Sequence, residues 1–577
     1  MKKLLLPLLT APVLTLFLLS SCHQEPAFVR FAVTTDVHGM IFPYDLISSR
    51  DADHSLAQVY SYLEEKEKTK DTALILLDNG DLLQGQPTVY FYNTLRRDSL
   101  HLSARVMNFM GYSAGTIGNH DIETGPSVYY KVRDEFDFPW LAANVIDTAT
   151  GEPAFVPYTV IKNGKYRIAI LGLTTPGVPN WLPRSLWPGL EFKDMVETAR
   201  EWVPRILEKE KPDLLVGLFH AGTDYSYGHQ DRNTPLNQNA TVLVAEQVPG
   251  FDIIFAGHDH ESSINWVRSS GKDSVLIVDP GSHATFVGEV LVELNRKNQG
   301  EKVLRAQLVP MKNYEPSPRF MNKFSYALDD VKDYLSDTIT ILGRDLSSLD
   351  GLFGPSAFTG LIQQIQSEIS GSAISFTAPL TFNTTLEKGP VRVSDMFKLY
   401  RFENMLYRMK LSGEEIDRYL EYSTSLWFNR MKAPDDHLLL FDPEKPGRLK
   451  NQYYNFSSAS GINYTIDLKK AEGDRVTITS LSDGSPFVST DTFLVAVNSY
   501  RGNGGGGHLT SGAGIPQDQL AGRVVWATDL DLRYYLMQYM AEFDTLIPAT
   551  PINWTLLPEK WAAEGASKDR KILTERK

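Results

Sequence analysis

Short apolar runs recur from Phe28 to about Leu308 and alternate with stretches of helical periodicity. Phe31-Ala32-Val33, Ala73 to Leu77, Leu214 to Leu218 and Ile253 to Ala256 predict buried strands. Leu56 to Leu63 and Met195 to Leu207 carry apolar residues at helical spacing and predict covering helices. Continuous rather than alternating apolar strands mean that both sheet faces are covered, so the pattern predicts a layered α/β domain. After Pro316 the character changes. Phe320 to Leu342 reads as a charged amphipathic helix suited to joining two domains, and a second α/β unit begins at about Gly343. There Phe358 to Ile362 starts a helix and Ala373 to Leu380 is strand-like.

The 577 residues and 42% hydrophobic content suit two or more domains with their own cores. The balance of 57 Lys+Arg against 70 Asp+Glu gives a net charge of −13. A net anion has no general attraction to a nucleic acid backbone, so polymer binding is not expected, whereas metal ions still allow a small phosphate to bind. The mixed-charge run Glu64 to Lys70 reads as the solvated end of a helix.

The amino end has the layout of an export signal over residues 1–21. Lys2 and Lys3 precede an apolar run, Leu4 to Leu19, that is short for a membrane span. Leu19-Ser20-Ser21-Cys22 resembles a bacterial lipobox, and Cys22 is the single cysteine of the chain. The expectation is an exported lipoprotein, periplasmic or on the cell surface, held to the membrane through acylated Cys22 alone.

In layered α/β sheets ligands collect beyond the carboxyl ends of the strands. The residues standing there are unusual. Thr34-Thr35-Asp36-Val37-His38-Gly39 follows the first run, and Asp78-Asn79-Gly80-Asp81 the second. Gly118-Asn119-His120-Asp121 follows Gly115-Thr116-Ile117; Phe219-His220 and Gly257-His258-Asp259-His260 end two later runs. Of the chain's 12 histidines, five sit in these turns. Any one turn is unremarkable, but five at strand ends supply a mixed nitrogen and oxygen donor set suited to divalent metals.

In this order the five motifs resemble the signature of calcineurin-like metallophosphoesterases. The resemblance implies a four-layer α/β/β/α domain over residues 28–315 that holds two divalent ions. By motif match, Asp36, His38 and His260 complete one site, Asn119, His220 and His258 the other, and Asp81 bridges them. The metal identity stays open among Zn, Mn, Co, Fe and Ca. A hydroxide between the ions would attack phosphorus, and His120 would stabilise the transferring group or assist the leaving alkoxide. Many relatives carry an Asp three residues after this histidine; here Glu123 takes the position with a longer arm, and Asp121 is a rival with a structural role.

The second half, residues 343–545, resembles the C-terminal domain of the 5′-nucleotidase family and is nearest to its 2′,3′-cyclic-nucleotide phosphodiesterase/3′-nucleotidase branch. The linker is placed at 316–342 and a C-terminal tail at 546–577. Val393-Ser394-Asp395, Tyr400-Arg401-Phe402-Glu403-Asn404 and Asn498-Ser499-Tyr500-Arg501-Gly502 carry the resemblance. It implies that Phe402 and Tyr500 sandwich a nucleobase, with Asn404 beside it, and that Gly504 to Gly507 lets the backbone approach the nucleoside. One departure stands out. Members taking 5′-monophosphates use arginines from this domain, one of them after a Gly-Gly-rich strand end, whereas Phe376 to Asn383 reads Phe-Thr-Ala-Pro-Leu-Thr-Phe-Asn. That loss of charge-assisted partners favours cyclic and 3′ substrates over 5′-monophosphates. The alternatives are a 5′-nucleotidase or UDP-sugar hydrolase of the same family, and a nutrient-binding lipoprotein without chemistry. A monomer acting on small nucleotides is expected.

Overall fold

The structure, a computed structural model, describes residues 27–575 apart from 69–71, 228–229, 272 and 296–300. The export signal, Cys22 and the end of the Glu64–Lys70 run therefore lie outside the described residues.

Two six-stranded sheets face each other in the amino-terminal domain. The first runs in the order Glu301–Pro310, Phe286–Asn295, Ala27–Thr34, Thr72–Asp78, Ala114–Thr116, Trp140–Leu141. The second runs Ser262–Arg268, Ser274–Pro280, Ile253–Phe255, Leu214–His220, Tyr166–Thr174, Tyr158–Asn163. Val29, Phe31, Ile75 and Leu77 of the first sheet share one core with Ile168, Val216, Leu218 and Phe255 of the second. Separate cores lie outside each sheet. One is built on the helices Leu56–Lys66 and Leu102–Met110, the other on Met195–Glu210 and Thr241–Gln247. This is the α/β/β/α layering, and it explains the continuous apolar strands: each is covered on both faces. Helix starts are capped as the sequence dictates, Ser55 accepting from the Ala57 amide and Asp194 from those of Val196 and Glu197.

Helix Pro318–Ser336 packs Phe320, Phe324 and Val331 into the first of these outer cores, which also takes in Val393 and Phe397 of the second domain. The helix is shorter than expected. Thr338–Leu342 is instead a strand, antiparallel to Gly389–Arg392 and parallel to Thr545–Leu546. Its alternating Thr-Ile-Thr-Ile sequence is β-branched, and a sheet accepts such residues better than a helix does.

The second domain is centred on a five-stranded sheet in the order Ser458–Ser460, Ile374–Thr377, Thr492–Asn498, Leu406–Ser412, Val524–Ala527. The segment expected as a tail belongs to this domain. Trp554–Leu557 pairs in parallel with Ile462–Asp467, and helix Glu559–Thr574 follows. Its buried Asp569 accepts from the amides of Leu438 and Leu439. Among the described residues no helix is long and apolar enough to cross a membrane.

Candidate active site

The carboxyl ends of the two amino-terminal sheets converge. Asp36, Asp81 and Asn119 come from the first sheet, and His220, His258 and His260 from the second. Ligand-type atoms of Asp36, His38 and His260 lie within 4.8 Å of one another, as do those of Asp81, His220 and His258. His260 Nε2 is 3.0 Å from His38 Nε2 and 3.4 Å from Asp36 Oδ1. His220 Nε2 is 3.2 Å from both Asp81 Oδ2 and Asn119 Oδ1. Asn119 thus stands with the second group.

The turns that present these atoms are strained. Asp36, His38, Asp81, His258 and His260 all have positive φ, between 48° and 77°. Residues with a Cβ occupy that region only where the surroundings over-determine it, as happens at functional sites. The restraints are visible. Asp36 N donates to Gly80 O and His38 N to Asp81 O, while Asp121 accepts from the amides of Asp81, Leu82, Leu83 and Gly118. Asp121 is therefore an organiser of two ligand loops. Glycines let the loops touch: a Cβ on Gly257 would collide with Thr35 Oγ1 and Asp36 Oδ2, and one on Gly118 with Asp81 Oδ1.

These residues fit two metal ions on observations independent of the motifs. Asp36 Oδ1 and Asp81 Oδ2 are buried and lack any hydrogen-bond partner, although Asp36 Oδ2 and Asp81 Oδ1 are both satisfied. An orphaned carboxylate oxygen facing imidazole nitrogens is costly without a cation. Moreover, His38 Nδ1 donates to Gln84 O (3.0 Å) and His220 Nδ1 to Asn79 O (2.7 Å), which leaves each Nε2 lone pair facing its cluster.

His120 stands beside the clusters and is part of neither. Its Nδ1 donates to Glu123 Oε2 at 2.5 Å. Burial disfavours the charged ring, but the carboxylates of Asp81 and Glu123 outweigh it and raise its pKa to about 9. Burial drives His38 and His258 the other way, down to about 3, whereas at His220 burial is outweighed by the Asp81 and Asp36 carboxylates, which raise it to about 10.

A cavity of about 370 Å³ opens from this centre towards the second domain. Asn119, His120, Glu123, His258 and His260 line one side, and Phe402, Asn404, Asn498 and Tyr500 the other. Phe402, Asn404 and Tyr500 are therefore brought to the same space as the candidate ligands, whereas Gly504 to Gly507 do not line it. Sequence reasoning missed the remaining aromatics. Trp181 and Tyr227 of the amino-terminal domain and Tyr454 of the second domain also line it. Trp181 lies over the His258 ring at 5.4 Å, and Tyr454 meets Phe402 edge-on at 6.1 Å. They sit in or beside short 3-10 turns outside the main strands and helices, where the local sequence carries no signal. Arg501 Nη1 donates to Gly505 O and Nη2 to Tyr454 O, which pins the glycine-rich turn beside Tyr500.

The fold and this centre define a metal-dependent phosphoester hydrolase. A family model for calcineurin-like phosphoesterases matches residues 29–262, and one for the 5′-nucleotidase C-terminal domain matches residues 336–511. The chain belongs to the family that joins these two domains in this order. A trifunctional nucleotide phosphoesterase, YfkN of Bacillus subtilis, is 25% identical over 91% of this chain, which spans 38% of that protein's length. A 2′,3′-cyclic-nucleotide 2′-phosphodiesterase/3′-nucleotidase of Yersinia enterocolitica is 25% identical over 86% of this chain and 84% of its own. In fold, the chain superimposes on a Staphylococcus aureus protein described as a 5′-nucleotidase with a TM-score of 0.75, at 21% identity, covering 92% of this chain and 100% of that one.

Proposed function

We propose that this chain is an exported lipoprotein that hydrolyses nucleotides, acting as a 2′,3′-cyclic-nucleotide 2′-phosphodiesterase and 3′-nucleotidase. The observation that carries the reading is the single cavity holding His120, His258 and His260 on one wall and Phe402, Asn404 and Tyr500 on the other. The run Phe376 to Asn383, which offers no arginine to a 5′-phosphate, supports the cyclic and 3′ preference.

In this reading Asp36, His38 and His260 would hold one divalent ion, Asn119, His220 and His258 would hold the other, and Asp81 would serve both. Two divalent ions bound there supply Lewis-acid polarisation of the phosphoryl group and an activated water. The chain's own residues do the rest. Glu123 orients the His120 ring by accepting from its Nδ1, and the neighbouring carboxylates favour the protonated ring. His120 then stabilises the phosphoryl oxygens or delivers the proton to the leaving alkoxide. Phe402 and Tyr500 grip the base by its faces, a contact that tolerates any base.

A panel of 2′,3′-cyclic AMP, 3′-AMP, 5′-AMP and a UDP-sugar tests the assignment. Faster turnover of the first two supports it; preference for 5′-AMP or the UDP-sugar overturns it in favour of the sister activity. The export reading has its own test. Cys22→Ser is expected to release active protein without detergent, and a variant still membrane-bound after a carbonate wash refutes the lipid anchor.

A further inference from the structure

The loop that presents Phe402 to the cavity has no regular structure of its own. It runs between helix Val393–Leu399 and strand Leu406–Ser412, so its carbonyls must find donors elsewhere. One side chain supplies two of them. Arg533 Nε donates to Tyr400 O at 2.9 Å, and Nη2 donates to Arg401 O at 2.8 Å. Its Nη1 lies 3.8 Å from Glu403 Oε1, and the neighbouring Leu532 amide donates to Asn404 O at 2.7 Å. The chain on both sides of Phe402 is therefore held from Leu532 and Arg533, and Phe402 between them faces the cavity. Arg533 is 1% exposed, so its bonds are made away from water, where they are stronger.

The guanidinium is itself fixed by rings from both domains. It lies 4.1 Å from the ring centre of Phe397 and 4.9 Å from that of Tyr90. Tyr90 belongs to helix Pro87–Thr94 of the amino-terminal domain, and its hydroxyl donates to Asp531 Oδ2 at 3.3 Å. On the same helix Asn93 Nδ2 donates to Leu83 O at 2.7 Å, and the Leu83 amide in turn donates to Asp121. The loop carrying Phe402 is thus braced, through Arg533 and one helix, against the backbone that presents Asp81. No motif marks this arginine. It lies beyond residue 511, where the match to the family model for the second domain ends.

We propose that Arg533 is the positioning residue of the nucleobase site: it touches no substrate and sets where Phe402 stands relative to the candidate metal ligands. The inference rests on the proposed function, which places the base against Phe402. Two carbonyls of successive residues are bonded at once, which suits the planar fork of arginine and which the ammonium of lysine does not reproduce. Stacking tolerates a small shift of the ring. A loop released from both bonds samples many positions instead, and binding must reorder it at an entropic cost. That cost falls before the chemistry, and so on KM.

The test is a double-mutant cycle on the metal-loaded protein, with 2′,3′-cyclic AMP as the nucleotide and p-nitrophenyl phosphate as an ester without a base. Arg533→Lys keeps the charge beside Glu403. It is expected to raise KM for cyclic AMP about fivefold or more, within the roughly 150-fold that one base stack is worth, with kcat within about twofold. Arg533→Gln should act in the same direction with a larger rise, and the cycle can be read from Arg533→Lys alone should the Gln variant not fold. In the Phe402→Ala background the same substitutions should change KM less than about twofold, because the ring that Arg533 positions is gone. An equal rise in both backgrounds, or a wild-type KM, overturns the inference alone. So does an equal loss on p-nitrophenyl phosphate, the mark of a merely structural residue. If wild type does not turn over cyclic AMP, or Phe402→Ala leaves its KM unchanged, the proposed function of the site fails and this inference with it.

Discussion

The two walls of the active cavity are built on opposite principles. On the amino-terminal side five of the seven candidate ligands, Asp36, His38, Asp81, His258 and His260, have positive φ, and their turns are tied by backbone hydrogen bonds and by the four that Asp121 accepts. On the facing side Phe402 is only half-buried, and behind it Glu403 Oε1 and Arg533 Nη1 are left without hydrogen bonds, 3.8 Å apart. The first wall stores strain to fix distances between atoms, as chemistry on phosphorus demands. The second offers surfaces, and recognition by stacking tolerates small displacements. Reaction and selection are therefore separable by mutation.

The largest effect is expected on the rigid wall. Asp81→Asn or His220→Ala should lower hydrolysis of every ester by about 10³-fold or more while unfolding stays cooperative. Turnover assays paired with elemental analysis check this; full activity with normal metal content would break the two-ion assignment. On the facing wall, Phe402→Ala and Tyr500→Ala should each cost about 5- to 150-fold in nucleotide kcat/KM. Hydrolysis of p-nitrophenyl phosphate should barely change. A parallel loss on both substrates would mean that these rings are core and not binding surface.

Glu123→Gln sharpens the comparison from within the first wall. It should cost about 10- to 100-fold, since Glu123 orients a group without meeting the substrate through its own chemistry. Glu123 is one of two carboxylates that hold the proton on His120. Removing it should move the alkaline limb of the kcat/KM profile to lower pH, and an unmoved limb would remove His120 as the acid.

The last effect is on stability and leaves the chemistry aside. Burial, only partly offset by Arg533, raises the Glu403 pKa from 4.5 to about 8. The folded protein then keeps a proton that the unfolded chain releases, so this group's contribution falls as pH rises from about 4.5 to 8, by at most about 1.4 kcal/mol per unit. Glu403→Gln should be more stable than wild type at pH 8 and nearly equal to it at pH 5. Thermal melts at both values check the sign.

The two walls also differ in how far they could be read from the chain. Asp36, His38, Asp81, Asn119, His120, His220, His258 and His260 were legible because each follows a strand directly, so sequence position and spatial position coincide. Phe402 and Tyr500 flank strands as well and were found by motif. Trp181, Tyr227 and Tyr454 come from short connecting turns, and only the docking of two domains brings them together. The strand Thr338–Leu342 was hidden by its partners, which lie about 50 and 200 residues further along the chain.

The glycine contacts between the ligand loops bear on which ions the centre can use. Gly257 and Gly118 place one loop's backbone directly against the carboxylates of another. The carboxylates are therefore wedged against main chain, which restricts how far they can turn away from the centre. Exchange of one divalent species for another should alter how strongly each ion is held and how acidic its water becomes, while the loops that present the donors stay in place. The enzyme would then be indifferent to metal supply in its architecture and sensitive to it only in its rate.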